Sequence, residues 1–218
     1  KTGPGIAMLD YYINAFATLF VTIDPVGLAP MFLAITAGMS KHDRRKVAIR
    51  ATITAAAILL VFYASGQTVL NVLGISVSAF RVAGGILLFL IAIEMIFGKR
   101  QARKTETAEK AMESEAHHGT INELAIFPLA IPLISGPAAI SAIILLSSQA
   151  PDTLAYAGLG GVIAIILLSC MGAFLLADKI ERLLGETAQL VITRLLGVLL
   201  AALSVQFVAD GILAFIRT

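Results

Sequence analysis

The sequence predicts an all-α polytopic membrane protein of six transmembrane helices. They form two inverted three-helix repeats, with spans one and four broken near mid-depth. Three observations carry that expectation. Hydrophobic residues fill 58% of the 218 positions and charged residues only 14%, and the mean hydropathy is +0.92, well outside the range of a soluble domain. The apolar residues come in blocks of roughly 20 or more, the length a helix needs to cross a bilayer. Finally, the chain matches itself at an offset of about 112 residues.

Span one, at about 10–37, contains TIDPVGLAP at 22–30. Proline removes a backbone donor and clashes with the preceding turn, so Pro25, Gly27 and Pro30 make a kink the milder expectation there and an unwound segment the stronger one. Span two is expected at 48–70 and span three at 76–97. KRQARKTETAEKAMESEAHHGTIN follows at 99–122, charge-rich and poor in apolar residues, and reads as a solvated linker. His117 and His118 read as a solvated pair and not as metal ligands, because no further His or Cys lies nearby. Span four, at 123–148, is interrupted in AIPLISGPAAIS by Pro132, Gly136 and Pro137. Span five, at 154–177, holds the single cysteine, Cys170, read as a small packing residue. Span six covers 190–215. The units are therefore residues 1–98, a linker at 99–122, and residues 123–218.

Orientation follows from Lys and Arg. The loop after span one carries Lys41, Arg44, Arg45, Lys46 and Arg50; the linker carries Lys99, Arg100, Arg103, Lys104 and Lys110; and the loop after span five carries Lys179 and Arg182. The loops of the opposite side carry none. The positive-inside rule assigns the basic loops to the cytoplasm, with both termini outside and the plasma (inner) membrane as the expected location. No cleavable signal pattern opens the sequence, so span one is expected to target the chain. With no Trp, the four tyrosines Tyr11, Tyr12, Tyr63 and Tyr156 are left to form any aromatic belt.

At the offset of about 112, Asp24-Pro25 falls on Gly136-Pro137, RVAGGILL at 81–88 falls on RLLGVLLA at 194–201, and Gly98 falls on Gly211. Three spans are an odd number, so the second unit enters the membrane from the opposite side, an arrangement common in secondary transporters. Asp24 and Gly136 both lie near the middle of their spans. Backbone freed by proline is intolerable against lipid, so both breaks are expected to face protein or a wet cavity. Half-helix N-termini there suit a carboxylate, and C-terminal carbonyls together with Asp24 suit an ammonium. A zwitterionic amino acid satisfies both ends. Thr18, Thr22, Asp24, Pro25, Gly27, Ser135, Gly136, Pro137 and Ser141 are the candidate binding residues. The small side chains among them leave room for a small substrate.

Arg81 and Glu94 in span three, and Arg194, Gln206 and Asp210 in span six, are the candidate gate residues. Pairing Arg81 with Asp210 and Glu94 with Arg194 would give outer and inner gates, although Arg81 and Glu94 stand about 220° apart on a helical wheel. Snorkelling to the headgroups is the alternative reading. Gly84, Gly85, Gly158, Gly160, Gly161, Gly172 and Gly197 are expected to permit close helix packing.

VTIDPVGLAPMFLAIT at 21–36, GISVSAFRVAGGILLFLIAIEMIFG at 74–98, FPLAIPLISGPAAIS at 127–141 and RLLGVLLAALSVQFVADGI at 194–212 together resemble the MarC family of six-span inner-membrane proteins. That family includes SnatA-type neutral amino acid transporters. The resemblance implies transport of small neutral amino acids such as glycine and alanine, coupled to a proton or sodium gradient, with Asp24 as the coupling candidate. The alternatives are a LysE-like exporter of amino acids or other small solutes, a passive channel, and a non-transport membrane module. An intramembrane enzyme would need a deep constellation of reactive groups, and the sequence offers only Asp24 at depth, with no His there and no P-loop. No cofactor is expected. The net charge of +2 is accounted for by the basic loops and calls for no nucleic-acid partner.

Overall fold

The computed structural model describes residues 4–100, 102–106 and 121–216, and among these it is helical with no strand. In chain order the elements are α1 (Pro4–Ile23), α2 (Pro25–Ile35), α3 (Lys41–Val72), α4 (Val77–Ile96), α5 (Ile121–Leu124), an irregularly wound segment (Ala125–Ile134), α6 (Pro137–Ser148), α7 (Thr153–Leu175) and α8 (Ala177–Ile216). A short helical stretch at 102–106 lies between α4 and α5. Five stretches are long and apolar enough to cross a membrane: Met8–Ile35, Lys41–Val72, Val77–Ile96, Thr153–Leu175 and Thr187–Ile216. The pair Ile121–Ile134 and Pro137–Ser148, bent by 57°, makes a sixth if it counts as one span. His117 and His118 lie outside the described residues.

The helix starts are set by local chemistry. Ser40, Ser76 and Asp152 each accept a hydrogen bond from the backbone N–H three residues on, at the heads of α3, α4 and α7. This satisfies one of the donors that every helix leaves orphaned. At α3 the Ser40 hydroxyl also donates to Asp43. Pro25 and Pro137 open α2 and α6 at their first turns, where the missing N–H costs nothing. Gly185 interrupts α8 at φ 60°, a conformation glycine adopts without a Cβ penalty.

Helix α4 lies along α8 in the most extensive helix pairing of the fold. A Cβ on Gly85 would stand 2.9 Å from the Ser204 carbonyl and 2.8 Å from Val208. One on Gly197 would stand 3.1 Å from both the Ala92 carbonyl and Ile96. Gly211 is similarly pressed onto Val82 and Ser78. These contacts are the close approaches that small residues permit between membrane helices. The expectation for glycines holds at Gly85, Gly158 and Gly197. It fails at Gly161 and Gly172, which have nothing within 4 Å of an added Cβ.

The core joins both halves of the chain. Phe32 of α2 stacks on Phe174 of α7 at 4.7 Å, and Cys170 is free and buried beside them in the same cluster. All four tyrosines are partly buried and tie helices together. Tyr11 donates to the Leu146 carbonyl at 2.9 Å and Tyr12 to the Leu154 carbonyl at 3.3 Å. Tyr63 and Tyr156 stack at 4.4 Å and each donates to the other's carbonyl. A phenol part-buried among helices finds a carbonyl more cheaply than it stays unpaired. Outward faces carry bare apolar side chains such as Ile53, Val61, Leu168, Leu195 and Leu199, each more than half exposed, which suits a chain solvated by lipid.

Candidate functional site

The site begins at Asp24. It sits at φ 59° and ψ 67°, the one non-glycine residue with positive φ among the described residues, in a conformation that Asp tolerates better than most side chains. Its carboxylate accepts the Gly27 N–H at 3.0 Å, so it is the N-cap of α2. Its own N–H still donates to Phe20, and its carbonyl already accepts from Leu28. The helix is therefore interrupted for a single residue, and Pro30 lies inside α2. The unwound stretch expected across 22–30 is absent, because the N-cap and the proline that follows it restart the helix at once. Gly27 makes room for this cap: a Cβ there would meet Asp24 Oδ2 at 2.1 Å, so the carboxylate would have to turn away.

The second interruption is larger. Phe127 and Ile131 adopt extended backbone angles inside Ala125–Ile134. Each precedes a proline, whose ring disfavours helical angles in its neighbour. Ser135 N–H reaches back to Ala130, and Gly136 caps α6 with no side-chain acceptor. The first-turn N–H groups of α6 are thus left to whatever lies beside them. Gly136 admits no side chain, since a Cβ would stand 2.6 Å from the Pro132 carbonyl oxygen.

Between the two interruptions lies a cavity of about 320 Å³. Its walls include Thr22, Ile91 and Glu94, residues Pro132 to Ile134 and Gly136 to Ala139, and the cations Arg100, Arg103 and Lys104. Arg100 donates to the Thr22 carbonyl. Lys104 Nζ lies 3.5 Å from the Ile23 carbonyl and 3.9 Å from Asp24 Oδ2. The last carbonyls of α1 carry the negative end of the helix dipole and lose a donor to Pro25, so cations are their natural partners. Arg100 is 8% exposed and the Lys104 side chain 11%. This start of the linker is not solvated, as its composition predicted, but docked into the protein. Burial, and then the Arg100 guanidinium, push the Lys104 ammonium down to about 8, against a smaller opposing pull from Asp24.

Of the residues the sequence singled out, Thr22, Glu94, Gly136 and Pro137 line the cavity; Asp24 does not, and lies buried behind Lys104, 3.9 Å from its ammonium. Pro25 and Gly27 are buried and shape the Asp24 cap. Thr18 donates instead to Asn14, Ser135 donates to the Ala55 carbonyl at 3.4 Å, and Ser141 does not line the cavity. The expected gate pairs are absent. Glu94 pairs with Arg103 at 2.5 Å, because the docked linker brings a guanidinium closer than Arg194, which lies beside the Gly98 turn. Asp210 accepts from Gln206 at 2.9 Å on an exposed face of α8, away from the cavity, and buried Arg81 Nε has no hydrogen-bond partner. The sequence reading missed Arg100 and Lys104. Their spacing of four residues puts both on one face of a helix, which is the signal that marks them.

The chain matches the model of the MarC family integral membrane proteins over residues 9–216. It is 38% identical over 210 residues to a UPF0056 membrane protein of Archaeoglobus fulgidus, covering 94% of this chain and 93% of that one. It is 36% identical over 201 residues to the UPF0056 membrane protein YhcE of Escherichia coli, covering 92% and 91%. A UPF0056 membrane protein of Aquifex aeolicus is 37% identical over 204 residues, covering 92% of each chain. No solved structure matches it. With a family match spanning nearly its whole length and relatives at this identity, the chain belongs to the MarC family of integral membrane proteins.

Proposed function

We propose that the protein is a secondary transporter of small neutral amino acids of the glycine and alanine class, coupled to a proton or sodium gradient and working by alternating access. The observation that carries this reading is the cavity between the two helix interruptions. One wall presents Thr22 near the end of α1 and Lys104, behind which the buried Asp24 carboxylate lies 3.9 Å away, and the other presents the uncapped N-terminus of α6. A zwitterion placed there would direct its carboxylate to the α6 N–H groups and the neighbouring cations, and its ammonium to Asp24. Lys104 holds the Asp24 position until a substrate ammonium replaces it.

The inverted-repeat reading is supported by reciprocal contacts between α4 and α8. Gly85 meets Ser204 and Val208, while Gly197 meets Ala92 and Ile96. Adding 112 to 85 gives 197, and subtracting it from 204 and 208 gives 92 and 96, so each contact maps onto the other under exchange of the two halves. Such exchange is what a pseudo-two-fold axis in the membrane plane requires, and it is the symmetry of a device that opens to either side. Within this reading Gly85, one residue from the Gly84 match of the sequence, is the counterpart of Gly197. The membrane is the plasma (inner) membrane, with the basic loops in the cytoplasm and both termini outside. The protein acts without a catalytic constellation or cofactor.

Uptake of radiolabelled glycine and alanine into proteoliposomes, with imposed proton or sodium gradients, tests this function. Gradient-driven accumulation by the wild type, lost in Asp24→Asn, is expected. No accumulation of either amino acid and no binding by thermal shift would overturn the substrate class.

A further inference from the structure

A second and larger cavity, about 600 Å³, opens where the chain turns between α2 and α3 and between α7 and α8. Five cations line it, Lys41, Arg44, Arg45, Lys179 and Arg182, against the single carboxylate of Asp178. Arg44 is spent: it pairs with Asp178 at 3.2 Å and donates to the Thr36 carbonyl. The other four make no ion pair or side-chain hydrogen bond among the described residues. They crowd one opening at a real electrostatic cost, which an anion would relieve. The remaining wall is apolar: Phe32 and Phe174, stacked on each other, with Leu33, Met39 and Leu175. Leu175 and Leu176 are nearly half exposed at the end of α7, so the apolar wall continues onto the outer surface of a membrane helix. Toward the opposite ends of α3 and α7, Tyr63 stacks on Tyr156 and Gly66 presses on Ile144.

We infer that this groove binds the headgroup of an anionic phospholipid, the phosphate between Arg45, Lys179 and Arg182 and the upper acyl chain along Leu33 and Leu175. Three features converge on a lipid in preference to a free phosphate. The groove lies at the ends of spans, where headgroups are; its charge is four uncompensated cations; and its apolar wall runs out to the lipid-facing surface. Basic pockets between membrane helices recognise headgroups in this way.

The test is native mass spectrometry of the purified full chain in a mild detergent, titrated separately with phosphatidylglycerol and phosphatidylcholine, with glycerol 3-phosphate as a soluble competitor. Saturable retention of phosphatidylglycerol over phosphatidylcholine is expected. In the double variant Arg45→Gln/Arg182→Gln that retention weakens by about tenfold or more, and in Lys46→Gln, whose cation pairs with Asp43 outside the groove, it stays as in the wild type. Single variants Arg182→Gln and Lys179→Gln, both at exposed positions, carry the test if the double variant does not purify. Equal retention of the two lipids, or equal weakening in Lys46→Gln, would reduce the groove to diffuse surface charge and overturn the inference. Displacement of the lipid by glycerol 3-phosphate at comparable concentration would overturn it in favour of a soluble phosphate ligand.

Discussion

The two helix interruptions, at Asp24 and before Gly136, are built differently. At Asp24 one residue leaves the helix, its carboxylate caps the next helix, and the apolar stretch Met8–Ile35 continues as a single run. At Gly136 the preceding ten residues are irregular, the cap has no side chain, and the two pieces bend by 57°. A carboxylate closes its own donors and leaves the carbonyls of α1 in need of cations, which the linker supplies. A glycine leaves the donors of α6 open. Similar prolines thus yield one end that attracts positive charge and one that attracts negative charge.

The sharpest way to break that comparison is Asp24→Asn. It removes the charge that distinguishes the first interruption, and uptake is expected to fall by about tenfold to a hundredfold, the weight of a charge-assisted partner. It also leaves Lys104 buried without its carboxylate, so thermal stability should drop and return in Asp24→Asn/Lys104→Met, while uptake does not. Recovery of uptake in the double variant would remove Asp24 from substrate binding.

Next in size are the two glycines. Gly136→Ala forces a Cβ against a backbone carbonyl that cannot swing aside, at a cost of about 1–3 kcal/mol. Gly27→Ala collides with a carboxylate that can turn away, losing a cap worth about 1 kcal/mol. Melting temperatures in detergent should therefore rank wild type above Gly27→Ala above Gly136→Ala, and the reverse order of the two variants would mean that the second interruption is the softer one.

A separate effect is read by pH. The ammonium of Lys104 is held at about 8 against an ordinary value of 10.5. Between those values the unfolded chain binds more protons than the folded one, so stability should rise with pH across that window. Below about 8 the cost of burying the charge is present in full and does not change. Melting temperature against pH should show this rise in the wild type and lose that component in Lys104→Met; an identical slope in both would place the titration elsewhere. The smallest change is Tyr63→Phe, far from either interruption. It removes one hydrogen bond to Tyr156, worth about 1 kcal/mol, and should lower the melting temperature slightly without altering the pH response.

Much of this was legible in the residues. Long apolar blocks and their boundaries give the spans, since hydropathy over 20 residues depends little on tertiary detail. Asp-Pro was legible too, as an N-cap followed by a first-turn proline, and reading it so would have reduced the expected unwinding at 22–30 to one residue. The docking of Arg100 and Lys104 was hidden because composition marks a charged segment as solvated. What overrides composition is the local demand of α1's unpaired carbonyls, 78 and 81 residues away in sequence. The pairing of Glu94 was hidden for the same reason. Its partner, Arg103, sits nine residues on, beyond a turn whose direction no helical wheel gives.

The tyrosines have an optical consequence. The chain has four and no tryptophan, so its near-ultraviolet emission comes from phenols alone. All four phenols donate to carbonyls, and each of those bonds joins a helix of the first half to α6 or α7 of the second. Any rearrangement that slides one half past the other must exchange those acceptors, and the protein's own emission will report it without a label.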